Sequence, residues 1–103
     1  MANPTRMRTE ISGSKVIVRA LMSHPMETGQ RKDSLGKPVP AWFITTVRVA
    51  HNGSEVLTAQ WGPAVSSNPY LQFSLKNGRA GDKVSIAWID NKGDSRTDEI
   101  VVS

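Results

Sequence analysis

Met22, His24 and Met26 are the residues of this sequence whose types and spacing come nearest to a chemical site. Two thioethers and one imidazole are soft ligands that suit Cu(I). Residues at alternate positions of a strand share one face, so a strand through this segment would bring the three side chains together. The competing interpretation is structural, because methionine often fills irregular gaps in a core. A small copper-handling protein therefore stands as an alternative function.

The sequence contains no constellation typical of an enzyme. Covalent catalysis needs an activated nucleophile beside a base, and neither His24 nor His51 lies in a recognisable serine–histidine–aspartate motif. The 103 residues of the sequence include no cysteine, so they can form no disulfide, no thiolate metal site and no thiol nucleophile. The segment from Asp90 to Asp94 superficially resembles a calcium loop, but Lys92 stands where an oxygen ligand is required. We expect a polar hairpin tip there, and a non-enzymatic protein without a cofactor or bound metal.

Length and charge place the chain among small globular proteins. Its 103 residues suit one domain, residues 1–103, with a core of its own. Thirteen Lys and Arg against nine Asp and Glu give a net charge of +4, which weakly favours acidic partners. The aromatic residues are not spaced among the basic ones, so we expect no nucleic-acid binding. No run is apolar enough for a membrane span, and residues 1–8 lack the apolar centre of a signal peptide.

Short segments with alternating apolar residues, separated by turn signals, dominate the rest of the chain. Asn52-Gly53 is a dipeptide typical of a two-residue type I′ hairpin. No stretch shows a helical period, and the spacing predicts an all-β, immunoglobulin-like β-sandwich of about seven antiparallel strands. The predicted strands are Thr5–Ile11, Lys15–Met22, Ala41–His51, Glu55–Trp61, Tyr70–Lys76, Lys83–Ile89 and Ser95–Val102.

Two connections are unusual. The first, Ser23–Pro40, is longer than the roughly 12–15 residues beyond which loops are usually functional or disordered. It carries a local basic cluster that could dock an acidic surface. The second, Trp61–Val65, is apolar for a loop. It either folds back over the open end of the sandwich or exposes an apolar patch to a partner.

Several blocks of this sequence resemble the SoxZ family of sulfur-oxidation proteins. They occur in the order of that family and span nearly the whole chain. The blocks are Met22-Ser23-His24-Pro25-Met26-Glu27-Thr28-Gly29, Arg31-Lys32-Asp33, His51-Asn52-Gly53, Ala59-Gln60-Trp61-Gly62-Pro63-Ala64-Val65-Ser66 and Trp88-Ile89-Asp90-Asn91-Lys92-Gly93-Asp94.

The resemblance implies an immunoglobulin-like sandwich that pairs with SoxY as a heterodimer. In that carrier complex the sulfur intermediate of thiosulfate oxidation rides on a cysteine in the C-terminal tail of SoxY, and other Sox enzymes make transient contacts to process it. The resemblance also implies a periplasmic location, reached without a signal peptide by export together with SoxY. A chain without cysteine fits the non-catalytic partner. When isolated, a sandwich with open edge strands could form a homodimer.

The partner interface is predicted on the two unusual connections, where apolar and basic side chains could contact SoxY. The candidate residues are His24, Met26, Arg31, Trp61, Pro63 and Val65.

Overall fold

The computed structural model describes residues 3–103, which form two antiparallel sheets packed face to face. One sheet has the order β1-β2-β5 and the other the order β4-β3-β6-β7. The predicted all-β immunoglobulin-like sandwich is confirmed. No helix among residues 3–103 has the length and apolarity to cross a membrane. The strands are β1 (Arg6–Ser12), β2 (Lys15–Leu21), β3 (Ile44–His51), β4 (Ser54–Gln60), β5 (Tyr70–Lys76), β6 (Lys83–Asp90) and β7 (Ser95–Val101).

The core lies between the sheets and is built by residues that alternate along the strands. In β2, Val16, Val18 and Ala20 are buried, while the residues between them face outward. In β6, Ile86 and Trp88 are buried in the same alternating manner. Burial of these aliphatic and aromatic side chains is the main driving force for pairing the sheets.

The first residues of β3 depart from the prediction. The strand begins at Ile44 rather than Ala41, and its pairing with β6 shifts register between Ile44 and Thr46. Such an irregularity changes which residues share a face. Ile44 thereby joins Val47 in the core, while Phe43 packs half-buried against it.

The Asn52-Gly53 hairpin is confirmed by its backbone. The φ angles are 50° at Asn52 and 85° at Gly53, and a type I′ turn needs positive φ at both positions. The side-chain oxygen of Asn52 also accepts a hydrogen bond of 2.8 Å from the amide of Lys83. The turn is therefore held to the neighbouring strand β6.

The long connection between β2 and β3 folds back on itself as an irregular hairpin. Backbone hydrogen bonds join Glu27 to Trp42 in both directions, at 2.6 and 3.0 Å, and Val39 donates to Arg31 at 2.7 Å. At the tip, Asp33 Oδ1 accepts from two backbone amides. Residues 30–38 are all exposed. The molecule measures 53 × 21 × 21 Å, and its radius of gyration of 15.5 Å exceeds the roughly 13 Å expected for a compact domain of this length.

Gly78 is a position where we expect a side chain to be rejected. A Cβ there would lie 2.5 Å from Cγ2 of Val16, which is fully buried and stiff at χ1. We expect Gly78→Ala to lower the free energy of unfolding by about 1–3 kcal/mol, as overpacking does elsewhere. Urea denaturation measures this directly.

Gly62→Ala is the matched control, because a Cβ at Gly62 meets nothing within 4 Å and its φ is not positive. It should change stability by no more than about 1 kcal/mol. Equal effects of the two substitutions would contradict the packing at Gly78.

Candidate functional site

Three connections converge at one end of the sandwich, which we call the loop end. It consists of residues 22–43 between β2 and β3, residues 61–69 between β4 and β5, and the turn 91–94 between β6 and β7, together with Asp90 at the end of β6. These segments have little regular structure, so side chains and single backbone bonds must hold them in place.

His24 lies at the centre of the loop end with its imidazole almost completely buried. Its Nδ1 accepts a hydrogen bond of 3.1 Å from the amide of Met26. A nitrogen that accepts carries no proton, so we assign the tautomer with hydrogen on Nε2. Nε2 then donates to Oδ2 of Asp90 at 3.0 Å. The pair is a neutral histidine donating to a carboxylate, and both ring nitrogens are occupied.

The carboxylate of Asp90 accepts four hydrogen bonds. Oδ2 accepts from His24 and from the indole Nε1 of Trp42 at 2.7 Å. Oδ1 accepts from the amides of Lys92 at 3.0 Å and Asp94 at 2.9 Å. Burial raises the pKa of Asp90, but the hydrogen bonds from His24, Trp42 and the two amides outweigh burial and leave the pKa below its ordinary value. The buried carboxylate is therefore stabilised in its charged form.

Two indole rings enclose the imidazole of His24. The Trp42 and Trp88 rings meet it edge to face, with centroid distances of 5.2 and 5.1 Å. The ammonium of Lys92 lies 4.4 Å from the ring centroid of Trp42, a cation–π distance. These contacts exclude water from the hydrogen bond between His24 and Asp90 and place a positive charge on the outer side of the cluster.

The backbone of His24 fixes the β4–β5 connection. Its amide donates to Oδ1 of Asn68 at 3.1 Å, and its carbonyl accepts from the amide of Asn68 at 2.8 Å. The amide of Met22 also donates to the carbonyl of Pro69 at 2.9 Å. A second tie, from Trp61 N to the Thr45 carbonyl at 2.9 Å, holds the start of the same connection.

Two concave surfaces open beside this cluster. A cavity of about 300 Å³ is lined by His24, Trp42, Trp88 and Asn68, among others. A more open groove of about 470 Å³ runs along residues 65–70 and has Trp61 as one wall. The loop end thus combines a rigid buried centre with accessible apolar and polar walls.

The predicted interface residues fall into three groups. His24 and Met26 are buried, Trp61 and Val65 are half-buried against the core, and Arg31 and Pro63 are exposed. His24 and Met26 belong to the β2–β3 connection, and Trp61, Pro63 and Val65 belong to the β4–β5 connection that packs beside it. Arg31 lies on the exposed hairpin, paired with Glu27 at 2.7 Å. The use of these residues as a partner interface stays a prediction.

The structure agrees in part with the first interpretation of the Trp61–Val65 connection, that of a loop covering the open end of the sandwich. Trp61 and Val65 pack against the core, so this segment folds back over the end of the sandwich. Pro63 and Ala64 at its tip remain exposed.

The prediction that a strand would bring Met22, His24 and Met26 together on one face, as a copper site would require, is wrong. Strand β2 ends at Leu21, and Met26 has a φ of 49°, so Met22, His24 and Met26 do not follow one another along a strand face. Both nitrogens of His24 already have partners, and the sulfur of Met26 accepts from the amide of Ile44 at 3.3 Å. Within residues 3–103 no group of three His, Cys, Asp or Glu side chains is arranged to hold a metal ion.

Sequence reasoning missed Asp90, which was assigned to a polar hairpin tip and is buried instead. A signal was present, because Val84, Ile86 and Trp88 alternate inward along β6 and Asp90 continues the same phase. An aspartate on the inward face of a strand needs hydrogen-bond donors. The donors His24 and Trp42 come from another part of the chain and could not be identified locally.

The chain matches the family model described as Sulphur oxidation protein SoxZ over residues 5–101. The chain belongs to the SoxZ family. Comparison with curated proteins gives no match. The matched region includes both sheets and the whole loop end. His24, Trp42, Asn68 and Asp90 therefore all lie within it.

Replacement of Asp90 by Asn tests the buried cluster. Asparagine replaces one of the two carboxylate oxygens by an NH2 group, which cannot accept a hydrogen bond. All four partners of the Asp90 carboxylate are donors, so the bonds to the replaced oxygen must be lost. We expect Asp90→Asn to lower the free energy of unfolding by about 3 kcal/mol. The control Glu55→Gln removes an exposed carboxylate 3.7 Å from Arg48 and should cost less than about 1 kcal/mol in the same urea titration.

The same variant should alter the acid stability of the protein. The carboxyl pKa of Asp90 is lowered in the folded state, against about 3.9 in an unfolded chain. Its contribution is therefore present above about pH 4 and is lost as the pH falls through the folded pKa. We expect the stability difference between wild type and Asp90→Asn to shrink progressively as the pH falls below about 4. A difference independent of pH would show that the charge of Asp90 does not stabilise the fold.

Proposed function

We propose that this chain is the non-catalytic subunit of a sulfur-carrier complex and binds SoxY, whose C-terminal cysteine holds the sulfur intermediate. The observation that carries the proposal is the SoxZ match over residues 5–101 in a sequence with no cysteine. Sulfur carried covalently needs a thiol as its point of attachment. These 103 residues offer none, so the carrier thiol must come from a partner.

The loop end supports a binding role. Hydrogen bonds with the backbone of His24 and to the carbonyl of Thr45 hold the β4–β5 connection at both of its ends. A surface fixed before binding loses little conformational entropy when a partner docks, which favours affinity. Trp61 and Val65 line the adjacent groove, and large apolar side chains in such positions often dominate the energy of an interface.

We also propose that the complex works in the periplasm and that this subunit reaches it together with SoxY. The support is the family resemblance alone. A homodimer of the isolated chain would occupy the partner surface until SoxY displaces it.

Size-exclusion chromatography with light scattering tests the complex, first on this chain alone and then on its mixture with SoxY from the same organism. We expect a 1:1 complex at micromolar concentration. Failure to form any complex, with this chain folded, would overturn the proposal.

A pair of valines locates the interface. We expect Val65→Ala to weaken SoxY binding by about 2 kcal/mol, or roughly 30-fold, because Val65 lines the groove and is proposed as a buried anchor of the complex. Val56→Ala is the matched control, since Val56 is an exposed valine in β4, away from the groove, and it should leave the affinity within about threefold. Thermal unfolding of both variants separates loss of binding from loss of folding. Equal affinities would remove the groove from the interface.

A further inference from the structure

The outer face of the sheet β1-β2-β5 carries a concentration of positive charge, and we call it the basic face. Strand alternation points the core residues of these strands inward and leaves the intervening residues on the outside. The charged side chains of the basic face are Arg6, Arg8, Glu10, Lys15, Arg19 and Lys76.

Five positive charges and one negative charge give the basic face a net charge of +4 (5 − 1). This equals the net charge of the whole chain, so the remaining charges sum to zero. The outer face of the other sheet carries Arg48 and Lys83 against Glu55 and Glu99, and is neutral. The net charge of the basic face therefore equals that of the whole chain, and the opposite sheet face contributes none of it.

Most of this charge is uncompensated. Arg19 pairs with Glu10 at 3.1 Å. Over the described part of the chain, no ion pair involves Arg6, Arg8 or the two lysines of the face. These side chains remain available to an acidic surface.

Apolar side chains lie among the arginines. The strand register places Arg6, Leu21 and Tyr70 side by side across the three strands, and Leu21 and Tyr70 are 41% and 57% exposed. Neighbouring positions in such a row are close enough for their side chains to contact one partner surface together. Tyrosine and arginine are enriched in protein interfaces, and aliphatic neighbours add area that is buried on docking.

We propose that the basic face docks the acidic surface of a globular protein that binds the carrier transiently. Permanent interfaces are usually more apolar, whereas exposed charge accelerates encounter and lets complexes form and separate quickly. A carrier that passes between enzymes needs such an interface. The occupant is an enzyme of the same sulfur-oxidation system, and this assignment rests on the proposed function.

The test uses the heterodimer of this chain with its SoxY, titrated by calorimetry with each sulfur-oxidation enzyme of the same organism at 50 and 300 mM NaCl. The variant Arg6→Glu/Arg8→Glu reverses two unpaired charges on the basic face. The control Arg48→Glu/Lys83→Glu makes the same change in net charge at two exposed positions on the outer face of the other sheet. We expect the basic-face variant to weaken at least one enzyme about tenfold or more at low salt, with the control within about threefold. High salt should weaken wild type and narrow the difference.

Equal weakening by both variants would overturn the proposal, because net charge alone would explain it. Unchanged binding by the basic-face variant, or no binding of any enzyme to the wild-type heterodimer, would also overturn it. A 20-base-pair DNA duplex and vesicles of phosphatidylglycerol are added as competitors. If either binds the basic face more tightly than every enzyme does, the proposal of a protein partner is overturned in favour of that competitor. If SoxY does not bind this chain, the proposed function fails, and titrating the chain alone with the same enzymes tests the face separately.

Discussion

The carboxylate of Asp90 is the constraint on which the loop end depends. It is buried at the end of β6 and accepts hydrogen bonds from the β2–β3 connection, through His24 and Trp42, and from its own turn. A buried charge without these donors would cost several kcal/mol. The connection and the turn must therefore keep the one arrangement that satisfies it, although neither contains much regular secondary structure.

The effect of this constraint extends beyond the residues that contact Asp90. His24 accepts from the amide of Met26 through Nδ1, and its backbone bonds to Asn68 fix the β4–β5 connection. A chain of hydrogen bonds thus runs from the β6–β7 turn through the long connection to the groove beside Trp61. Such a network rigidifies a surface only when each member is satisfied. The conformation of the groove therefore depends on His24 and Asp90, which are buried behind it.

The molecule separates two kinds of surface. At the loop end, charge is compensated inside a buried cluster and the accessible walls combine apolar and polar groups. On the outer face of β1-β2-β5, arginines and lysines remain exposed around Leu21 and Tyr70. The first arrangement suits a stable complex formed by shape and apolar contact, and the second suits rapid exchange governed by salt. Under the proposed function, the first surface would bind SoxY and the second would meet the enzymes that process the carried sulfur.

The sequence by itself determined the strands and turns, because the alternation of Val16, Val18 and Ala20 and the backbone preference of Asn52-Gly53 are local properties. It also marked the long connection and the residues that resemble the SoxZ family. Only the tertiary structure decided the bonding of His24, because its partner Asp90 is 66 positions away along the chain. The register shift after Ile44 likewise depends on pairing with β6. Period-two patterns report which face a residue occupies, but the partner that it meets there depends on how distant segments pack.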